Sequence, residues 1–319
     1  MIISLLAVSS ALAQQTDRVL HFTATSDTKN LQEIARVICA ITDIPQTSVD
    51  MAENSLPLRG TASQVALAEW LLSNLDQPSS VPHDDAKYEY RISHDDVVRL
   101  FFLTNPEVPM GVQEIATAVR ALAGVRQMFT YNDLRAVVVR GTSEQINLAE
   151  FFFGQMDKPG IPGSGASAEF RMGSDSLARV VYLPNTKTVQ DFQQLVTAVR
   201  TIARLRYAFT YNIARAVGLR GTDEQVALAK WLFEDLDGAK GPDSGGHQYR
   251  IPSSSDDFVR VFYLAHAATS QHLGETMLQI QSKTHNAWVC IYNAPSAIVV
   301  RGTAQQIVRA AELTRQEDN

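Results

Sequence analysis

The phrase Arg-Gly-Thr occurs four times in this chain, at Arg59-Gly60-Thr61, Arg140-Gly141-Thr142, Arg220-Gly221-Thr222 and Arg301-Gly302-Thr303. The glycines stand 81, 80 and 81 residues apart. Four residues beyond each glycine lies a glutamine (Gln64, Gln145, Gln225, Gln306), and sixteen beyond lies an aspartate (Asp76, Asp157, Asp237, Asp318). Thirty-eight before each lies an apolar residue: Phe22, Leu103, Leu183 and Leu264. A gapless register of this kind means one supersecondary unit of about eighty residues repeated in tandem. The second and third copies also share Thr-Ala-Val-Arg (Thr117–Arg120, Thr197–Arg200) and Phe-Thr-Tyr-Asn (Phe129–Asn132, Phe209–Asn212). Between copies, residues 77–82, 158–167 and 238–246 have the Pro/Gly/Ser composition of linkers. They predict separately folding modules over 16–78, 88–159, 168–238 and 247–319.

The second copy shows what one unit contains. Tyr88–Ile92 and Val97–Leu103 are rich in β-branched, aromatic and leucine residues and predict strands, split by a polar turn at Ser93–Asp96. A helix is expected over Val112–Ala123, with Ile115, Ala118, Val119 and Leu122 on one face. The same slots hold Ile34, Val37, Ile38 and Ile41 in the first copy, and Leu195, Ala198, Val199 and Ile202 in the third. In the fourth copy the first two slots hold Thr276 and Gln279, which predicts a rotated or looser helix. Strands over Gln127–Tyr131 and Ala136–Arg140 follow, joined at Asn132-Asp133. Gly141 lets the chain turn, and Thr142 with Gln145 forms the capping box that opens a last helix. In the first copy that helix carries Val65, Ala68, Leu71, Leu72 and Leu75 on one face. The recurring Gly, Thr and Gln are therefore structural. The fold class is α+β, in tandem βαββα or ββαββα modules, each a short sheet with two helices on one side.

Bulk properties narrow the function. Apolar residues make up 45% and charged residues 19%, the balance of a folded chain. The net charge of −6 argues against a nucleic-acid partner, because phosphate binding needs a basic face. Met1–Ala13 is apolar and ends in Ala11-Leu12-Ala13, a small-x-small cleavage site that predicts a signal peptide over 1–13 and export to the periplasm or cell envelope. No cysteine stands directly after that site, and no later apolar run reaches the ~20 residues of a membrane helix. Cys39 and Cys290 make no disulfide framework and are expected to act as small buried hydrophobes.

No motif in the chain carries chemistry. His83-Asp84-Asp85 and His94-Asp95-Asp96 fall in linker or turn sequence and are expected to be solvated. His266 and His272 lack the third and fourth ligands of a zinc site. Phosphate-binding, nucleophile-elbow and metalloprotease signatures are missing. The sequence thus assigns no catalytic, cofactor-binding or metal residue, and predicts a protein that is not an enzyme. A β-α-β-β-α order also suits KH-type nucleic-acid domains, but no module has their Gly-x-x-Gly loop.

One slot stands apart. Ten residues past each glycine lie Trp70, Phe151, Trp231 and Glu312, opposite the apolar face of the last helix. An aromatic there packs either over its own linker or onto a neighbouring module or subunit, which makes Trp70, Phe151 and Trp231 candidate interaction residues. Their replacement by Glu312 fits an end repeat with no neighbour to cover.

The module resembles the short N-terminal domain of bacterial secretins, the ring-building periplasmic domain of outer-membrane secretion and pilus channels. The residues that carry the resemblance are Asn54-Ser55-Leu56-Pro57-Leu58-Arg59-Gly60-Thr61, closing at Leu75-Asp76-Gln77-Pro78, and Arg135–Thr142, closing at Met156-Asp157-Lys158-Pro159. Arg135 and Arg215 stand where that family usually has Asn. The resemblance covers nearly the whole mature chain, without the family's membrane barrel. It implies a non-enzymatic cell-envelope scaffold for type II secretion or type IV pilus systems, with protein partners: itself or an outer-membrane secretin. The alternative is an exported peptide- or glycan-binding protein.

Overall fold

The computed structural model describes residues 15–89, 97–104, 109–158, 160, 162–163, 166–174, 176–238, 247–265, 269–285 and 287–318. The expected signal peptide, the turn at 93–96 and His266 lie outside these residues. In chain order the described elements are β1 (Gln15–His21), α1 (Thr28–Thr42), β2 (Ser55–Thr61), α2 (Ala62–Leu75), β3 (Ala86–Glu89), β4 (Val97–Phe102), α3 (Pro109–Ala123), β5 (Gln127–Tyr131), β6 (Ala136–Gly141) and α4 (Ser143–Met156). They continue with β7 (Ser167–Met172), β8 (Ser176–Tyr182), α5 (Val189–Ile202), β9 (Tyr207–Tyr211), β10 (Ala216–Gly221), α6 (Asp223–Leu236), β11 (Gln248–Arg250), β12 (Phe258–Tyr263), α7 (Ser270–Thr284), β13 (Trp288–Tyr292), β14 (Ala297–Gly302) and α8 (Ala304–Glu317). The chain is α+β, a strand–helix pattern that recurs. Helix α3 begins three residues before the position the periodicity predicts.

Three antiparallel sheets share one order, β3-β4-β6-β5, β7-β8-β10-β9 and β11-β12-β14-β13, and β1 pairs with β2 alone. Each sheet places its most apolar strand in the middle. Ala136–Val139, Ala216–Leu219 and Ala297–Val300 are buried throughout, because both of their faces are covered.

The chain divides into two compact units. One comprises the residues up to Leu103 with Val125–Ile146, and the other Thr104–Gly124 with Asn147–Asn319. In the first unit, Val98, Leu100, Ala136 and Val138 share a hydrophobic cluster with Ile34, Ile38, Leu67 and Leu71 of the preceding copy. In the second, alternate residues of β14 divide between two clusters. Ala297 and Val299 join Leu195, Val199, Leu228 and Leu232 of the third copy, whereas Ile298 and Val300 join Leu273, Ile280, Ile307 and Leu313 of their own. The period of two that sends successive strand residues to opposite faces produces this division. Hydrophobic clusters run across copies, and the unit boundary falls inside the second copy.

The same layering explains the weakened fourth copy. Helix α1 buries Leu31, Ile34, Ala35, Val37, Ile38, Cys39 and Ile41, because it packs on both α2 and the following strands β5 and β6. Helix α5 likewise packs on β9 and on β13 and β14. Helix α7 packs on its own β13, β14 and α8, and buries only Leu273, Thr276, Ile280 and Thr284. Thr276 is fully buried with its hydroxyl donating to the His272 carbonyl, so the polar slot is filled without an orphaned group.

Candidate functional site

The recurring polar residues converge on the joints where one copy meets the next. At the end of α1 the last carbonyls have no partner within the helix. Arg140 Nη1 donates to the Ile41 carbonyl at 2.8 Å and contacts Asp43 Oδ2 at 2.6 Å. In the second unit Arg220 Nη1 donates to the Leu122 carbonyl at 2.9 Å, and Arg301 Nη1 to the Ile202 carbonyl at 2.8 Å. The arginine of each downstream Arg-Gly-Thr is therefore a latch. A guanidinium suits this place, since the helix C-terminus carries partial negative charge. Arg59 has no such acceptor among the described residues; it lies on the surface beside Gln15 and Asp17, its side chain 70% exposed against 9% for Arg301.

A second contact accompanies each latch. Asn132 donates to Glu33 Oε1 through its backbone and side-chain nitrogens, Asn212 does the same to Glu114, and the Asn293 backbone donates to Gln194 Oε1. The preceding tyrosines, Tyr131, Tyr211 and Tyr292, are buried, and burial pushes their phenols well above the usual range. The sequence offered a signal for these residues in the shared Phe-Thr-Tyr-Asn phrase and in the arginine's own recurrence. Neither signal names an acceptor, because each acceptor lies 98 or 99 residues away.

The outward aromatic slot lies at the same joints. Trp70 sits with its ring centroid 5.3 Å from Tyr88 on β3, Phe151 5.5 Å from Phe170 on β7, and Trp231 5.3 Å from Tyr249 on β11. In the fourth copy Arg309 and Glu312 replace Leu228 and Trp231 and pair with each other at 2.8 Å.

Gly141, Gly221 and Gly302 end their strands and Gly60 is the last residue but one of β2; none has a positive φ, so they are not needed for an unusual turn. Their role is space. A Cβ on Gly141 would lie 2.7 Å from Gln145 Oε1, and one on Gly221 2.8 Å from Gln225 Oε1. That oxygen accepts from the capping threonine's N–H, from Thr61, Thr142, Thr222 and Thr303 in turn. The glutamine Nε2 also donates to the end of the preceding helix: Gln64 to Thr42, Gln225 to Arg204, Gln306 to Thr284 and His285. A capping box tolerates Glu or Gln; this second bond requires a donor, and so requires Gln.

The recurring aspartate holds the loop after the first long strand of each copy. Asp76 accepts from the backbone of Thr23, Ala24 and Thr25, and Asp157 from Thr104. Burial alone would raise the Asp76 carboxyl, but these hydrogen bonds outweigh it and hold the carboxyl below the usual range. In the third copy Pro184 occupies the donor position and has no N–H. Asp237 keeps Asn185 at 3.4 Å, and among the described residues its Oδ1 has no hydrogen-bond partner. Burial pushes Asp237 up to about 6, against weaker hydrogen bonding from Asn185 and Thr186.

The candidate acid–base residues do not assemble. His83 stacks on Phe102 and Asp85 accepts from the Phe102 N–H, while Asp84 and Asp85 stay exposed, as expected of a solvated segment. His272 contacts the Glu317 carbonyl. Cys39 is buried and Cys290 half-buried. Among the described residues no group of three or more His, Cys, Asp or Glu side chains is placed to hold a metal ion, and no helix is long and apolar enough to cross a membrane.

No protein-family model matches the chain, and no curated protein matches it. Among solved structures it is similar to the N-terminal domain of the secretin XcpQ from Pseudomonas aeruginosa, at 14% identity and a TM-score of 0.20, covering 46% of this chain and 63% of that one. The chain thus spans less than two thirds of that structure's length. It is also similar to ExeD from Aeromonas hydrophila, at 11% identity and a TM-score of 0.17, covering 91% of this chain and 59% of that one. An aspartate kinase from Synechocystis matches at 12% identity and the same TM-score of 0.17, covering 96% of this chain and 54% of that one. Secretin domains are thus among the structural neighbours, but a secretin and a kinase are matched equally, so the likeness assigns no function.

Proposed function

We propose that the chain is a non-enzymatic scaffold of the cell envelope, exported behind residues 1–13 and built of four secretin-type modules, which serves a type II secretion or type IV pilus system. One observation carries the reading: the polar residues that recur at fixed spacing are spent on helix caps, loop clamps and joints between copies. Those joints are described once in the first unit and twice in the second. Such joints make a stiff support that presents its flanks to protein partners, itself or an outer-membrane secretin. In this reading Trp70, Phe151 and Trp231 are the anchors that order successive modules, and the four glycines, threonines and glutamines are structural.

The test is co-purification of the full chain with the secretin of its own organism from detergent-solubilised envelopes, combined with light scattering of the isolated protein. A defined oligomer or a stable secretin complex supports the scaffold. A strictly monomeric chain that ignores the secretin and binds peptides or glycans instead overturns it.

A further inference from the structure

The third copy carries a cationic surface that the first and fourth copies lack and that the second holds only in part, as Arg120 and Arg126. Arg200, Arg204 and Arg206 crowd the C-terminal end of α5, and all three are exposed. None of them makes an ion pair among the described residues. Arg200 Nη2 reaches the Arg206 carbonyl at 3.4 Å, which ties the first to the third. Their guanidinium groups rest on aromatic rings: Arg204 lies 4.8 Å from the centroid of Trp288, and Arg206 lies 5.4 Å from that of Tyr207. The latch residue Arg220 approaches Tyr207 at 5.3 Å. Trp288 is 43% exposed, a large indole left open at the edge strand.

One further feature separates this surface from ordinary solvated charge: nearby acids are already engaged. Asp257 pairs with Arg301 at 2.8 Å, and Glu224 accepts from the Ser253 N–H and hydroxyl. The corresponding positions in the first copy are Cys39, Asp43 and Pro45, and in the fourth Gln281, His285 and Ala287.

We propose that Arg200, Arg204 and Arg206, floored by Tyr207 and Trp288, form a docking site for a short acidic segment of a partner protein. Guanidinium groups that rest over rings can still offer their forked N–H edges to carboxylates. The partner is a short peptide rather than a long polyanion because of the chain's net charge of −6. A nucleic acid or an anionic bilayer meets that repulsion over its whole length, whereas a few carboxylates act within the Debye length of about 8 Å. The proposal does not depend on a role in secretion.

The experiment is fluorescence anisotropy of a short labelled oligo-glutamate peptide titrated with the full chain, followed in parallel by Trp288 emission. Saturable binding that weakens as salt rises from about 20 to 150 mM is expected. The double variant Arg200→Glu/Arg206→Glu should weaken it roughly tenfold or more. Lys187→Glu, a reversal at the opposite end of α5, should leave it unchanged. Trp288→Phe should remove the emission change, which assigns that signal to the indole under Arg204. Circular dichroism and thermal melting verify that each variant is folded. Absence of saturable binding, or equal affinity in the doubly reversed protein, overturns the proposal. Tighter binding to phosphatidylglycerol vesicles or oligothymidine than to the peptide overturns it as well.

Discussion

Gly218 on β10 faces Phe152 on α4: a Cβ at that glycine would stand 3.3 Å from Phe152 Cε1, and Leu122 closes the same space. The other copies place Pro57, Val138 or Val299 where Gly218 stands, and Leu71, Leu232 or Leu313 where Phe152 stands. A large ring in one copy is thus matched by a missing side chain in the next. Gly218→Val should destabilise the protein by about 1–3 kcal/mol through overpacking. Adding Phe152→Leu should recover part of that loss. Urea denaturation of the two single variants and the double variant measures the coupling, and simple additivity would contradict a shared space.

The latch arginines should differ sharply from their surface counterpart. Arg301→Ala leaves the Ile202 carbonyl buried without its donor and should cost about 1–3 kcal/mol. Arg59→Ala removes only exposed contacts and should change stability by less than about 0.5 kcal/mol. Equal effects in denaturant titrations would show that the buried bond is not what matters.

Gln225→Glu discriminates the two roles of the recurring glutamine. The carboxylate can still accept from Thr222, but it cannot donate to the Arg204 carbonyl. A loss of about 1–2 kcal/mol is expected, in contrast to the neutrality that the capping box alone predicts. Thermal melting of this variant decides between them.

Asp237 should make stability depend on pH. Its folded value of about 6 lies above its ordinary value of 3.8, so the folded state holds its proton more tightly. The contribution is fully present below about 4 and is lost as pH rises through about 6. Asp237→Asn should therefore stabilise the protein by roughly 1–2 kcal/mol at pH 8 and have little effect near pH 4. Asp76→Asn should behave oppositely, destabilising at neutral pH, because the Asp76 carboxyl is held low and its contribution disappears as pH falls below the usual carboxylate range. Denaturation series across pH for both variants test the signs together.

Much of the local structure was legible without coordinates. The capping boxes of Thr61, Thr142, Thr222 and Thr303 followed from four residues each, because a helix cap is decided by its nearest neighbours. The strands 127–131 and 136–140 followed from β-branched and aromatic runs. The partners of Arg140 and Asn132 were not legible, since a donor's sequence says nothing about which acceptor it will meet 99 residues earlier. The glycine was read as a turn residue on sequence alone; only the glutamine folded back over it shows why a Cβ is excluded.

The sequence by itself determined the repeat, the α+β class and the order of elements within a copy, because these depend on periodicity and on caps closed within a few residues. Tertiary structure alone decided that the copies share their cores and that Arg140, Arg220 and Arg301 serve as latches while Arg59 does not. It also decided that the polar slot of α7 reflects a helix covered on one side. The physical reason is burial: a strand residue such as Ala297 or Ile298 carries its face in its parity, but which helix covers that face is settled only when both are packed.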